Sequence, residues 1–197
     1  KLAETCEKTN TFLVVDECFE EFLDEPEAYS IIPFLEKLSH VFVLKAFTKI
    51  YAMAGLRLGY ALCSNEDVLT KICQVRQPWS VSGLAQRAGI AALKETEYVL
   101  KTRKLVHEQR KKMEAALTEL GYIVYPSQAN YIFFKEKTLE GATDSLYDRM
   151  LKQGVLIRSC SNYPGLDASC YRICVKTEEE NREFLHKLSQ CTVTKRT

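Results

Sequence analysis

Ala46-Phe47-Thr48-Lys49-Ile50-Tyr51-Ala52-Met53-Ala54-Gly55-Leu56-Arg57-Leu58-Gly59-Tyr60 is the stretch that decides the fold. It follows the apolar run Val41-Phe42-Val43-Leu44, which predicts a buried strand. A lysine at the end of such a strand can be desolvated, which makes its amine a nucleophile toward aldehydes. Arg57 comes eight residues after Lys49, between Gly55 and Gly59. Its guanidinium offers a planar fork to a phosphate, and the glycines let the backbone turn closely around a ligand. Taken singly, Lys49 and Arg57 are ordinary surface residues; their spacing is what carries information.

Upstream, Thr11-Phe12-Leu13-Val14-Val15 predicts a strand buried on both faces, ending at Asp16-Glu17. Open α/β sheets place ligands beyond the carboxyl ends of their strands, so Asp16 is a candidate to hold a proton on a heteroaromatic nitrogen. Capping of the next turn is the plainer role for an Asp there. A helical stretch around Ile31 to Leu38 separates this strand from Val41–Leu44, and Leu58-Gly59-Tyr60-Ala61-Leu62 reads as a third strand. Strand, helix, strand at this spacing predicts an α/β sheet covered by helices.

Composition sets the outer bounds. The 197 residues carry 27 Lys+Arg against 26 Asp+Glu, a formal net charge of +1, which argues against a nucleic-acid partner. With 46% hydrophobic and 27% charged residues the chain has a globular composition. No apolar run reaches the roughly 18 residues of a membrane span, and Lys1 to Asn10 does not resemble a signal peptide, so no membrane association is expected. The eight cysteines include no Cys-x-x-Cys pair, and three histidines are available to join them. We expect no zinc site and read them as reduced cytoplasmic thiols, several in the core.

The second half predicts a compact α+β module. Gly83 to Leu120 has helical periodicity with a bend near Glu95 to Tyr98, and Gly121 closes it. Tyr122–Tyr125 and Asn130–Phe134 read as strands flanking Pro126-Ser127-Gln128. A helix around Ser145 to Gln153 follows, then strands at Val155–Arg158 and Tyr171–Val175, and a last helix capped by Thr177. Arg172, on an otherwise apolar strand, is a candidate anion ligand or a residue on a solvated face. Trp79, the single tryptophan, is a candidate for core packing or a dimer contact.

Together these motifs resemble the pyridoxal-phosphate-dependent enzymes of the aspartate-aminotransferase fold (fold type I). Val14-Val15-Asp16-Glu17-Cys18-Phe19 is similar to the family's strand ending in Asp-Glu-Ala-Tyr/Phe. Thr48-Lys49 with Gly55-Leu56-Arg57-Leu58-Gly59-Tyr60 is similar to its Ser/Thr-Lys…Gly-Leu-Arg-Leu-Gly-Tyr signature. The resemblance implies that Lys49 is the catalytic residue and carries pyridoxal 5'-phosphate in imine linkage. It implies that Asp16 pairs with the pyridine nitrogen and that Thr48 and Arg57 hold the cofactor phosphate. Phe19 takes the place beside the cofactor's phenolic oxygen. It further implies that Arg172 binds the substrate's acidic group and Arg158 a substrate phosphate, with Asn130 also lining the substrate.

Within the fold, the chain resembles histidinol-phosphate aminotransferase and threonine-phosphate decarboxylase of cobalamin synthesis. Gln77-Pro78-Trp79-Ser80-Val81-Ser82 and Ile157-Arg158-Ser159-Cys160-Ser161-Asn162-Tyr163-Pro164-Gly165-Leu166 favour the decarboxylase; Pro126-Ser127-Gln128-Ala129-Asn130-Tyr131 fits both. Two departures stand out. Ala46 occupies a position where the family often has a hydroxyl for the phosphate cup. Phe19 stands where aminotransferases often have a donating tyrosine, which is easier to reconcile with decarboxylation. The expected fold is the C-terminal part of a type I transferase: residues 1–95 as part of the large cofactor domain and 96–197 as the small α+β domain. The expected parent is a cytoplasmic homodimer acting on a small phosphorylated amino acid or amine. The fragment itself is expected to bind cofactor weakly and to be inactive alone. A cofactor-free folding or interaction module is the remaining alternative.

Overall fold

The computed structural model describes residues 1–137 and 144–191. The chain divides into two compact units, Lys1–Arg103 and Lys104–Thr197, with the division inside a long helix.

In the first unit, α1 (Leu2–Lys8) leads into β1 (Leu13–Asp16), and β2 (Val41–Ala46) and β3 (Gly59–Leu62) complete a sheet of order β1-β2-β3. β1 runs parallel to β2, with Leu13 opposite Val41 and Asp16 opposite Leu44, whereas β3 is antiparallel to β2. The core lies on one face. Val41 and Val43 are fully buried there against Ala3, Leu35 and Leu38, with Leu13, Val15 and Leu62 packed around them.

β1 departs from the expectation of burial on both faces. Leu13 and Val15 are half-buried, but Val14 is 59% exposed and Asp16 is exposed. The core covers one face of the sheet, so β1 alternates, as β2 does, instead of being buried continuously. The segment before β2 also differs: Ile32–Lys37 is 3-10 rather than α-helix, with Pro33 in its first turn, where the missing N–H is tolerated. α2 (Pro26–Tyr29) precedes it.

α3 (Glu66–Val75) starts at Asn65, whose side chain accepts from the Val68 N–H; Ser82 caps α4 (Gly83–Ala92) in the same way. The expected bend separates α4 from α5 (Thr96–Glu119). Of the apolar stripe in this region, Met113 and Leu117 are buried, while Leu93, Leu100 and Leu105 are exposed. Trp79 is 97% exposed with φ +54°, so it is not a core residue.

In the second unit, β4 (Ile123–Tyr125), β5 (Tyr131–Lys135), β6 (Arg158–Ser159) and β7 (Cys170–Cys174) form a sheet of order β4-β5-β7-β6, antiparallel throughout. Gly121 ends α5 at φ +89°: the Tyr122 N–H reaches the Leu117 carbonyl and the Gly121 N–H reaches that of Thr118. α6 (Leu146–Lys152) is capped by Ser145. The strand expected at 155–158 is shorter, because the Val155 N–H bonds back to the Met150 carbonyl and serves the end of α6. Only Arg158 and Ser159 pair with β7. α7 (Glu178–Cys191) opens with a reciprocal cap: the Thr177 N–H donates to the Glu180 carboxylate and the Glu180 N–H to Thr177 Oγ1. The eight cysteines are all free, with Cys6, Cys160, Cys170 and Cys191 buried. Among the described residues no helix is long and apolar enough to cross a membrane.

Leu117 is fully buried in the second unit and Lys111 is exposed on the same helix. Leu117→Ala should cost about 2–5 kcal/mol by leaving a cavity. Lys111→Ala should stay within about 0.5 kcal/mol. Denaturant unfolding followed by far-UV circular dichroism reads both.

Candidate active site

Parallel pairing sends β1 and β2 out of the sheet at the same edge. Asp16 is the last residue of β1, and Thr48-Lys49 lie in the turn that follows β2. That turn is fixed by its own backbone: the Met53 N–H bonds to the Phe47 carbonyl, the Ala52 N–H to that of Lys49, and the Phe47 N–H to that of Leu58. Lys49 is exposed, and its Nζ lies 4.9 Å from the centre of the Phe19 ring. A cation over an aromatic face is held there by the ring's quadrupole. Thr48 is half-buried.

Asp16 Oδ1 accepts the Cys18 N–H at 3.0 Å, a local turn bond and not a helix cap, since the 3-10 helix Glu20–Phe22 begins after Phe19 without a side-chain cap. Its carboxyl lies below the ordinary 3.8, chiefly through hydrogen bonds from the Cys18 side chain and backbone, with a smaller pull from the Lys49 charge. The neighbouring Cys18 thiol is pushed up to about 11, first by burial and then by Asp16. Asp16, Cys18, Phe19 and Lys49 therefore form one neighbourhood.

Arg57 has φ +53° and ψ +44°, the left-handed region that residues other than Gly uncommonly occupy, and Ala52 has φ +53° in the same turn. Such backbone strain recurs where a ligand is held. The Arg57 side chain is exposed and donates to the Ala54 carbonyl at 3.2 Å. Of the two flanking glycines, only Gly59 is closely approached. A Cβ there would meet the Lys45 carbonyl oxygen at 3.1 Å, whereas Gly55 has open space.

Beneath this edge sits a cluster that the motifs did not disclose. Lys45 on β2 is 7% exposed, with its Nζ 2.6 Å from Glu20 and 3.8 Å from Glu17 and Glu21. Burial alone would lower the Lys45 pKa; the carboxylates outweigh it and hold it above its ordinary value. Glu21 is raised, mainly by burial. Glu17 also accepts from Ser30 Oγ and from the Ile31 N–H, and the Arg103 Nε donates to the Glu21 carbonyl. The available signal was alternation: Val41, Val43 and Lys45 share the buried side of β2.

In the second unit, Arg158 and Arg172 stand directly opposite each other on β6 and β7, and both side chains are exposed. Arg172 therefore occupies the solvated side of an alternating strand, with Tyr171 and Ile173 buried. Arg158 Nη2 donates to Asn162 Oδ1 at 3.2 Å and lies over the Tyr163 ring; Arg172 lies over the Tyr131 ring at 5.0 Å. Neither arginine has a carboxylate partner among the described residues. Asn130 precedes β5, and its carbonyl accepts the Val175 N–H. Buried Arg110 donates to the Gln128 and Ala129 carbonyls and holds that turn.

A family profile described as aminotransferase class I and II matches residues 1–188. The chain belongs to the class I and II aminotransferase family. It is 36% identical over 188 residues to threonine-phosphate decarboxylase from Salmonella typhimurium, covering 95% of this chain and 50% of that protein. It is 35% identical over 183 residues to histidinol-phosphate aminotransferase from Oleidesulfovibrio alaskensis, covering 92% and 47%. The crystal structure of histidinol-phosphate aminotransferase from Clostridium acetobutylicum superposes with a TM-score of 0.88 at 31% identity, covering 96% of this chain and 56% of that one. The chain thus spans about half the length of the curated relatives it matches.

Pyridoxal phosphate is the cofactor that goes with this family, and the residues present fit it. Lys49 offers an exposed amine and Asp16 an ionised carboxylate in the same neighbourhood. Arg57 extends from a strained turn with no carboxylate partner among the described residues.

Because the Asp16 pKa is lowered in the folded chain, its stabilising effect is fully present above 3.8 and is lost as pH falls through the lowered value. The melting temperature of Asp16→Asn should therefore fall below that of the unmutated chain at neutral pH, and the gap should close in acid. Thermal unfolding across that range, followed by circular dichroism, reads it.

Proposed function

We propose that the whole protein is a pyridoxal-phosphate enzyme that decarboxylates L-threonine O-3-phosphate, and that this chain supplies its lysine, its pyridine-facing carboxylate and its substrate arginines. The observation that carries the reading is Lys49 resting on the Phe19 ring beside Asp16. When bound, the cofactor supplies an electron sink for the pair left at the substrate's alpha carbon. Asp16, kept ionised, holds the proton on the ring nitrogen. Lys49 would hold the cofactor through its aldehyde and is the group placed to move a proton at the alpha carbon. Thr48 and Arg57 hold the cofactor's phosphate. Phe19 donates no hydrogen bond to the phenolic oxygen, which favours loss of carbon dioxide over amine transfer.

Arg158 and Arg172 support the phosphorylated substrate. Like charges directly opposite on adjacent strands destabilise a sheet unless an anion draws them together. Arg158 takes the phosphate, Arg172 the carboxylate, and Asn130 contacts the same substrate. A cytoplasmic homodimer in cobalamin synthesis is the setting, supported by the free thiols and by the exposed Trp79 as a contact for a second copy. Transamination of histidinol phosphate is the second reading, favoured by the relatives of nearly equal identity that carry that name.

Product analysis on the whole protein separates the two. Threonine phosphate should release carbon dioxide without an amino acceptor; amine transfer from histidinol phosphate to 2-oxoglutarate, with no carbon dioxide from threonine phosphate, would select the second reading. Arg158→Ala should weaken the phosphorylated substrate by about 2–4 kcal/mol, as for loss of a partner in a desolvated charge pair. Cofactor affinity, titrated at the imine absorbance band, should be unchanged.

A further inference from the structure

Cys160 directly follows β6, and Cys170 is the first residue of β7. The register pairs Arg158 with Arg172 and Ser159 with Tyr171. One step further it sets Cys160 opposite Cys170, and the Cys160 N–H donates to the Cys170 carbonyl at 2.9 Å. Directly opposite residues project from the same face. Here one of the two bonds of a hydrogen-bonded antiparallel pair is made, the Cys170 N–H donating instead to the Asp167 carbonyl; in such a pair the α-carbons are about 5.5 Å apart. A disulfide spans about 4.4–6.8 Å between α-carbons, which includes this spacing, but asks for β-carbons about 3.5–4.5 Å apart, so closing the bond draws the end of β6 and the start of β7 together. Among the described residues no other two cysteines are cross-strand partners.

We infer that Cys160 and Cys170 form a reversible intrachain disulfide, made by exchange with a small-molecule disulfide of the glutathione class. The two thiols are now parked on separate acceptors, Cys170 Sγ on Asp167 Oδ1 at 3.6 Å and Cys160 Sγ on the Arg158 carbonyl at 3.9 Å. Both residues are 3% exposed. Burial raises the Cys160 thiol above its ordinary value, against the pull of the Arg172 and Arg158 charges. Reaction with an external disulfide requires the exposed 161–168 segment to move aside.

The exchange balances in two steps. One of the two thiolates attacks one sulfur of the oxidant. The oxidant's S–S bond breaks, a mixed disulfide forms on that cysteine, and a first reduced thiol leaves with the electron pair. The other thiolate then attacks that cysteine's sulfur, the mixed S–S bond breaks and a second reduced thiol leaves. The two cysteine protons end on the two released thiols; the cysteines are oxidised and the oxidant is reduced. The product closes the base of the loop carrying Asn162 and Tyr163, the side chains on which Arg158 rests.

Trypsin cuts after Arg158 and Arg172, so both cysteines fall in peptide 159–172. The folded chain is incubated with oxidised glutathione, free thiols are blocked by alkylation, and the digest is weighed. The expected result is peptide 159–172 lighter by two hydrogens and unalkylated, returning to the doubly alkylated form after dithiothreitol. In Cys170→Ser the same peptide should instead carry glutathione on Cys160. Peptide 159–172 remaining doubly alkylated while the exposed Cys73 and Cys174 are modified would overturn the inference. So would either cysteine cross-linking to a third. The decisive measurement is on the unmutated chain, so it stands whether or not the variant folds.

Discussion

Parallel pairing of β1 with β2 is the constraint on which the site depends. Two parallel neighbours must end at the same edge of their sheet, so the residues that leave them are neighbours as well. Register does the rest: with Asp16 opposite Leu44, the turn after Ala46 delivers Lys49 beside the carboxylate and over the Phe19 ring. An antiparallel pairing of the same strands would send Asp16 and Lys49 to opposite edges. The antiparallel β3 returns the chain so that Gly59 abuts the Lys45 carbonyl. That return closes the strained turn bearing Arg57.

Buried charge braces this edge from below. Lys45 is a full charge removed from water, and it is tolerated because Glu20, Glu17 and Glu21 surround its ammonium. Glu17 ties the exit of β1 to Ser30 and Ile31, and Glu20 and Glu21 lie in the 3-10 turn that follows Phe19. The same ammonium thus holds the segments on either side of the Phe19 ring. The second unit uses its own polar bracing, with Arg110 across the Gln128 and Ala129 carbonyls and Asn181 bonded to Gln109 and Lys176.

Most of the element order was legible because it rests on local chemistry. Apolar runs gave β1, β2 and β5, Gly121 gave the end of α5, and Thr177 with Glu180 gave the start of α7. The failures were cases where a neighbour, not the local pattern, decides. Val14 is apolar but lies on the open face of an outer strand. Val155 is β-branched, yet its N–H is taken by the end of α6. Leu93, Leu100 and Leu105 keep helical spacing without being buried. At the candidate site, motif spacing singles out Asp16, Lys49 and Arg57, and the fold brings Asp16 and Lys49 into one neighbourhood. The Lys45 cluster was not legible, because its three glutamates come from another segment and only the fold brings them to one ammonium. Arg158 facing Arg172 is likewise a matter of register, which no residue pattern displays.

The central claim is that Lys49 is the amine that captures the cofactor, and reduction tests it most directly. The whole protein is treated with pyridoxal phosphate and then borohydride, which converts the imine to a stable secondary amine, and digested with trypsin. A modified Lys49 resists cleavage, so the account predicts the pyridoxyl label in a peptide running uncut from Ala46 to Arg57. A label on another lysine, with Ala46–Lys49 released unmodified, would contradict it.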